Sequence, residues 1–155
     1  MKESTSVYQA IVSRKSTRKF KDKPLPRDVL NAICQLGYRI PSAGNLRPIE
    51  IYGTEFPATE SNGGFSTARN YIVICADFDK TTKKYGDRGI TYVYMEAGHT
   101  AQNVCLVAEA MGLGTCCVGA FDNDAIKKRY KLEHYPVYMV AVGYKDESWS
   151  MLHAK

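Results

Sequence analysis

One stretch constrains the fold more than any other. From about Thr91 to Met111, apolar residues fall at Val93, Ala97, Ala101, Val104, Ala108 and Met111. Steps of three and four hold them in one stripe along an α-helix for about five turns. Tyr94, Gly98 and Cys105 form a second band that widens the stripe. Ala97, Gly98, Ala101 and Ala108 are small, so a second helix can approach closely. Such a helix belongs at the centre of a fold or against a symmetry mate. Gly112-Leu113-Gly114 ends it.

The other elements arrange themselves around that helix. Ser6 can cap a short amphipathic helix to about Ser13, with Val7 and Ile11 on one face. Pro26 suits the first turn of a second helix running to about Tyr38, faced by Val29, Ile33 and Leu36. Strands are expected at Ile49–Gly53, at Tyr71–Ala76 and at Val137–Tyr144, the last two apolar throughout and hence central in a sheet. Cys116–Phe121 reads as a short strand, and Asp122 can cap a helix to about Tyr130. Thr54 to Thr67 carries Pro, Asn, Ser and two adjacent glycines and reads as a weakly specified connection or lid. Residues Lys145 to Lys155 trail off. Helices precede, interrupt and follow the strands in an order that simple right-handed crossovers cannot join. The expected class is α+β, a mixed sheet covered by helices on both faces. Residues 1–155 are expected to form a single domain.

Composition excludes several functions. Twenty-one basic residues against 16 acidic leave a net charge of +5, enough to favour anionic ligands but short of a nucleic-acid-binding balance. No apolar run approaches the roughly 18 residues of a membrane span, and the N-terminus lacks a secretory apolar core. A reduced cytoplasmic compartment and no membrane association are expected. Cys34, Cys75, Cys105, Cys116 and Cys117 show neither Cys-x-x-Cys spacing nor a paired histidine, so no metal site is expected. Cys116-Cys117 is a vicinal pair for which a redox role stays open.

Two segments carry chemistry. Arg14-Lys15-Ser16-Thr17-Arg18 packs three cations and two hydroxyls into five residues directly after a helix. It reads either as a solvated basic surface or as the convergent donor set that a phosphate monoester needs. Pro41-Ser42-Ala43-Gly44-Asn45-Leu46-Arg47-Pro48 reads either as a plain turn or as a ligand loop. In the second reading Gly44 admits close backbone approach, and Asn45 offers both a donor and an acceptor to a flavin or nucleobase edge. Gly112-x-Gly114 is not a dinucleotide loop, since it follows a helix and Cys117 stands where the third glycine would be. Gly119-Ala120 has minimal side chains, so a backbone N–H there can face a flat ligand. His99 and His134 read as structural, and Glu96 and Glu109 stand too far apart along one helix for a carboxylate dyad.

Taken together, Ser13 to Phe20, Pro24-Leu25-Pro26, Pro41 to Pro48, Glu96-Ala97-Gly98 with Gln102-Asn103, Met111 to Phe121 and Pro136 to Tyr144 resemble the nitroreductase family, in order, over roughly residues 6 to 144. The resemblance implies a three-layer sandwich with a mostly antiparallel sheet, in an interlocked homodimer with FMN at the interface. It implies that Arg14, Lys15 and Ser16 contact the phosphate and that Arg18 approaches the phosphate or the pyrimidine edge. Pro41, Ser42, Ala43, Asn45 and Arg47 would come from the partner chain, and the backbone at Cys117, Val118 and Gly119 would face flavin N5. The implied activity is two-step hydride transfer from NAD(P)H, by way of the flavin, to a nitroaromatic, quinone or similar small acceptor. The alternatives are a flavin-binding storage or regulatory protein without turnover, and a flavin-free interaction protein on the same fold. Phe56 to Arg69 stands where the family usually carries a longer helical insertion, which leaves the acceptor open.

Overall fold

The computed structural model describes residues 6–55, 67–146 and 148. Its elements run α1 (Val7–Ser13), α2 (Arg27–Gly37), β1 (Ile49–Glu55), β2 (Asn70–Ala76), α3 (Phe78–Tyr85), α4 (Arg88–Ala110), β3 (Gly114–Val118), α5 (Asn123–Tyr130) and β4 (Tyr135–Gly143). The four strands pair in the order β1-β2-β4-β3, and every pairing among them is antiparallel. The parallel component of the expected mixed sheet shrinks to one bridge, Ser16 to Thr115. A register shift lies opposite Ile74 and Cys75, where β4 carries one extra residue.

The sheet is buried on both faces. Ile72 and Ile74 of β2 join Val140 and Val142 of β4 on one face, against Leu30 and Ile33 of α2 and Val93, Ala97, Ala101 and Val104 of α4. Tyr71, Val73 and Cys75 join Met139, Ala141, Cys116 and Val118 on the other, under Phe20 and Ile126. Each fully buried aliphatic side chain contributes about 1.5–3 kcal/mol over leaving it in water. Three layers result, with α4 the largest helix against the sheet.

Several expectations change in detail. The small residues of α4 pack on the chain's own sheet: Ala97, Ala101 and Ala108 are buried in its core. What α4 turns outward is Ile90, Tyr94 and Met95, all exposed. α1 forms with a reciprocal Ser6–Gln9 capping box, as its sequence suggests. Its apolar residues nevertheless face away from this chain: Val7, Tyr8, Ile11 and Val12 are exposed and only Ala10 is buried. In α2, Pro26 is the N-cap rather than a helical residue, and Leu36 points outward while Leu30, Ile33 and Gly37 are buried. β3 starts at Gly114, earlier than Cys116, and ends at Val118, so Gly119 to Phe121 leave the sheet. Most of the expected lid from Thr54 to Thr67 and most of the tail after Tyr144 lie outside the described residues.

α3 is an element that hydrophobic patterning does not reveal. It holds only Phe78 and Tyr85 as large apolar residues and is specified by its ends instead. Asp77 caps it by accepting from the Lys80 N–H, Asp79 sits in its first turn, and Lys83 and Lys84 sit in its last. That charge order suits the helix dipole. α3 lies hard against α4 at Gly89, where a Cβ would come within 2.9 Å of Thr81 backbone atoms.

Candidate cofactor site

The basic segment is held in place by the sheet. Arg14 is the C-cap of α1, and its N–H donates to the Ala10 carbonyl. The chain then extends along the open edge of β3: Ser16 bridges Thr115, and the Thr17 N–H donates to the Thr115 carbonyl at 2.7 Å. Arg14 is half-buried and its charge reaches Cys117 and Cys105, while Lys15, Ser16 and Arg18 are exposed. Among the described residues, no carboxylate forms an ion pair with Arg14, Lys15 or Arg18. Other cations are committed. Arg69 bridges Asp22 and Glu55, and Lys145 donates to both oxygens of the nearly buried Glu109 at 2.9 Å. Three cations on one short, edge-anchored segment without acidic partners are an arrangement that stores positive potential for an outside anion.

The loop from Pro41 to Pro48 is shaped by its own hydrogen bonds. Gly44, Asn45 and Arg47 all take positive φ, of 58°, 55° and 53°. Only glycine does so without steric cost, so two side-chain-bearing residues here need support. The support is present: the Ser42 hydroxyl accepts from the Arg47 N–H at 2.9 Å, and Asn45 Oδ1 accepts from Arg47 Nε at 2.9 Å. Arg47 Nη1 donates to the Ile40 carbonyl, and the guanidinium lies over the Tyr38 ring. The Ala43 N–H donates to Oε1 of Glu96, a buried residue of α4 that sequence reading did not connect to this loop. Arg47 therefore braces the loop, and Glu96 fastens the loop to α4. Pro41 and Asn45 are exposed.

The two segments meet α4 at different heights. Glu96 receives the Pro41–Pro48 loop, while Cys105, nine positions further along α4 (105 minus 96), lies within reach of the Arg14 charge. At 1.5 Å per residue, that is roughly 14 Å along the helix. They also flank opposite edges of the sheet, β3 and β1. At the C-terminal end of β3, Val118 is buried while Cys117 and Gly119 are exposed. Among the described residues, the only side chain within 4 Å of a Cβ added at Gly119 is Tyr138, at 3.9 Å, so a flat ligand can approach that backbone.

A second polar cluster lies on the other sheet edge. The Tyr52 hydroxyl donates to Glu50, and His134 Nδ1 stands 2.9 Å from the same Glu50 oxygen. With a proton on Nδ1, in either the Nδ1–H tautomer or the imidazolium, the ring donates to that oxygen. His134 Nε2 stands 3.5 Å from Asp77, the cap of α3. Partial burial pushes the Glu50 carboxyl up. The Tyr52 and His134 hydrogen bonds, with the charges of His134 and Lys80, outweigh it and hold the carboxyl below its ordinary range. A carboxyl lowered on folding stabilises the fold above its unfolded pKa of about 4.3 and loses that contribution as pH falls through the folded value. The expected result is that Glu50→Gln costs about 1 kcal/mol near pH 7. In urea titrations that margin shrinks as pH drops below about 4. A margin that persists at pH 3 would show that the Glu50 charge is not its source.

Comparison with known proteins follows the same lines. A family model described as the nitroreductase family matches residues 11–61 and 54–144. A protein of Methanocaldococcus jannaschii, MJ1384, provisionally named a nitroreductase, is 31% identical over 186 aligned positions covering 94% of each chain. An NADPH-dependent oxidoreductase of Staphylococcus aureus strain USA300 is 25% identical; the alignment covers 90% of this chain and 65% of that protein. Among solved structures, a nitroreductase family protein from Streptococcus pneumoniae TIGR4 superposes with a TM-score of 0.79 at 20% identity, over 92% of each chain. That likeness establishes the shared α+β fold. No helix among the described residues is long and apolar enough to cross a membrane.

Proposed function

Because the chain belongs to the nitroreductase family, we propose that it is an NAD(P)H-dependent oxidoreductase that holds FMN and reduces a small acceptor such as a nitroaromatic or a quinone. The observation that carries this reading is the set of three cations, Arg14, Lys15 and Arg18, anchored along β3 without acidic partners among the described residues. That donor set suits the phosphate of FMN. The open backbone at Gly119 suits a ring laid against it.

In this reading Arg14, Lys15 and the Ser16 hydroxyl bind the phosphate, and Arg18 approaches the phosphate or the pyrimidine edge, where its charge stabilises electron-rich ligand. The backbone of Cys117, Val118 and Gly119 orients the ring. Held there, FMN would supply two-electron redox chemistry between NAD(P)H and the acceptor. The chain then has to position ligands and charge, and needs no side-chain acid–base pair of its own.

The second half of the site comes from a second copy. Pro41, Ser42, Ala43, Asn45 and Arg47 sit roughly 14 Å along α4 from the Arg14 neighbourhood within one chain. A homodimer brings one chain's loop to the other chain's basic segment. The exposed apolar residues Val7, Tyr8, Ile11 and Val12 of α1, with Ile90, Tyr94 and Met95 of α4, support it, since a soluble monomer rarely leaves so many uncovered. The test is steady-state oxidation of NADH and NADPH by FMN-loaded protein with a quinone and with a nitroaromatic. Acceptor-dependent turnover with either nucleotide is expected. Tightly held flavin that neither nucleotide reduces would overturn the enzymatic reading in favour of storage or regulation.

A further inference from the structure

The vicinal cysteines of β3 point to opposite faces of the sheet. Cys116 is buried with Val118 and Met139. Cys117 is exposed on the α4 face, and its Sγ lies 3.7 Å from Sγ of buried Cys105. The partner of Cys117 is therefore twelve residues away in sequence, brought back by the turn between α4 and β3. We propose that Cys105 and Cys117 form a reversible disulfide, with Cys117 as the sulfur that attacks peroxide and Cys105 as the sulfur that resolves it.

The division of labour follows from position. An attacking thiol must be accessible and ionised, whereas a resolving thiol needs only to touch it. Cys117 is exposed, and Cys105 is 3% exposed. The contact with the Cys105 sulfur, with the Tyr138 hydroxyl and the Arg14 charge and against partial burial, holds the Cys117 thiol below its ordinary range. The same contact and burial push Cys105 upward, so it stays a thiol. Burial raises Cys34 to about 11 and Cys75 to about 12, and raises Cys116 as well, which leaves them unreactive by comparison. Closing the pair from 3.7 Å to a bond of about 2.0 Å needs the two sulfurs, on the neighbouring elements α4 and β3, to approach by under 2 Å.

The steps balance with a hydroperoxide as oxidant. The Cys117 thiolate takes one oxygen of hydrogen peroxide as the O–O bond breaks, giving the sulfenic acid, and the other oxygen leaves as water after gaining a proton. The Cys105 thiol then attacks the Cys117 sulfur, the S–O bond breaks, and a second water departs. Two electrons pass from the sulfur pair to the peroxide. A small thiol reverses the product by exchange. Arg14 lies beside the pair, but the disulfide does not rest on the flavin reading, and its test needs no flavin.

The experiment is intact-mass and peptide mapping of the purified chain after brief exposure to hydrogen peroxide. A loss of two hydrogens, a peptide link between Cys105 and Cys117, and full recovery with dithiothreitol are expected. In Cys105→Ser, oxidation should stop at a dimedone-reactive sulfenic acid on Cys117, and Cys117→Ser should give neither product. The wild-type mapping stands even if a variant fails to fold. A link between Cys116 and Cys117, or oxidation that leaves Cys105 and Cys117 as free thiols, would overturn the proposal.

Discussion

Arg14→Ala weakens FMN binding by roughly 10- to 150-fold, the equivalent of about 1.5–3 kcal/mol for a hydrogen bond to a charged group. The size of the effect comes from the commitment of Arg14 to no carboxylate among the described residues and from its half-buried seat at the end of α1. Among the described residues its charge acts on the Cys105 and Cys117 thiols, not on a carboxylate. Lys128→Ala is the control: it removes one positive charge from an exposed position on α5, which covers the opposite face of the sheet. A general loss of positive field would weaken binding similarly in both variants. A local phosphate contact weakens it in Arg14→Ala and leaves Lys128→Ala within about threefold, since one exposed charge outside the contact is largely screened. Fluorescence titration of the apo chain with FMN measures both. An Arg14→Ala affinity equal to that of the unsubstituted chain would mean that the phosphate sits elsewhere.

Gly89→Ala carries the second large effect, on stability. The added methyl comes within 2.9 Å of the Thr81 carbonyl carbon and oxygen and of Thr82 Cα. All three are backbone atoms, so no rotamer change relieves the contact, and α3 must move off α4. Overpacking of this kind costs about 1–3 kcal/mol, and the backbone clash puts Gly89→Ala at the upper end. For a chain of this size that lowers the melting temperature by roughly 5–10 °C. The site would feel it too, because Lys84 Nζ and Tyr85 OH at the end of α3 lie within 2.9 Å of a Cβ placed on Gly44. Gly98→Ala on the same helix is the informative counterpart. Its methyl meets nothing within 4 Å among the described residues, so helix propensity alone stabilises it by about 0.5–1 kcal/mol. A loss instead would mark a second copy packed against that face.

Much of this architecture is legible in the residues, with a physical reason where it is not. The stripe on α4 and the two apolar strands β2 and β4 follow from periodicity, because burial imposes the period directly. Periodicity cannot say what covers an apolar face. Val7 and Ile11 share a side of α1 as expected, yet that side turns away from the chain's own core, and Ala97 and Ala101 meet the sheet rather than a symmetry mate. α3 escapes notice because its specification lies in Asp77, Asp79, Lys83 and Lys84, not in an apolar stripe. Asp77 at the cap and Gly86 just past the end, at a φ of 57°, are the signals that could have found it.

The candidate site divides the same way. The cationic run and the Pro41–Pro48 loop announce themselves by composition. That the first lies along β3 and the second hangs from Glu96 depends on tertiary contacts between residues 53 or more positions apart. The Cys105–Cys117 contact needs the chain reversal after α4, which the adjacency of Cys116 and Cys117 obscures. Glu50, Tyr52 and His134 likewise gather from β1 and from the turn before β4.

If Arg14, Lys15 and Arg18, on the segment that runs beside β3, hold FMN, the visible absorption spectrum shows it most directly. The protein is mixed with excess FMN, desalted and scanned. Retained oxidised-flavin bands, at close to one flavin per chain, are the result this account predicts. A colourless protein after desalting, with its fold intact by circular dichroism, would contradict it.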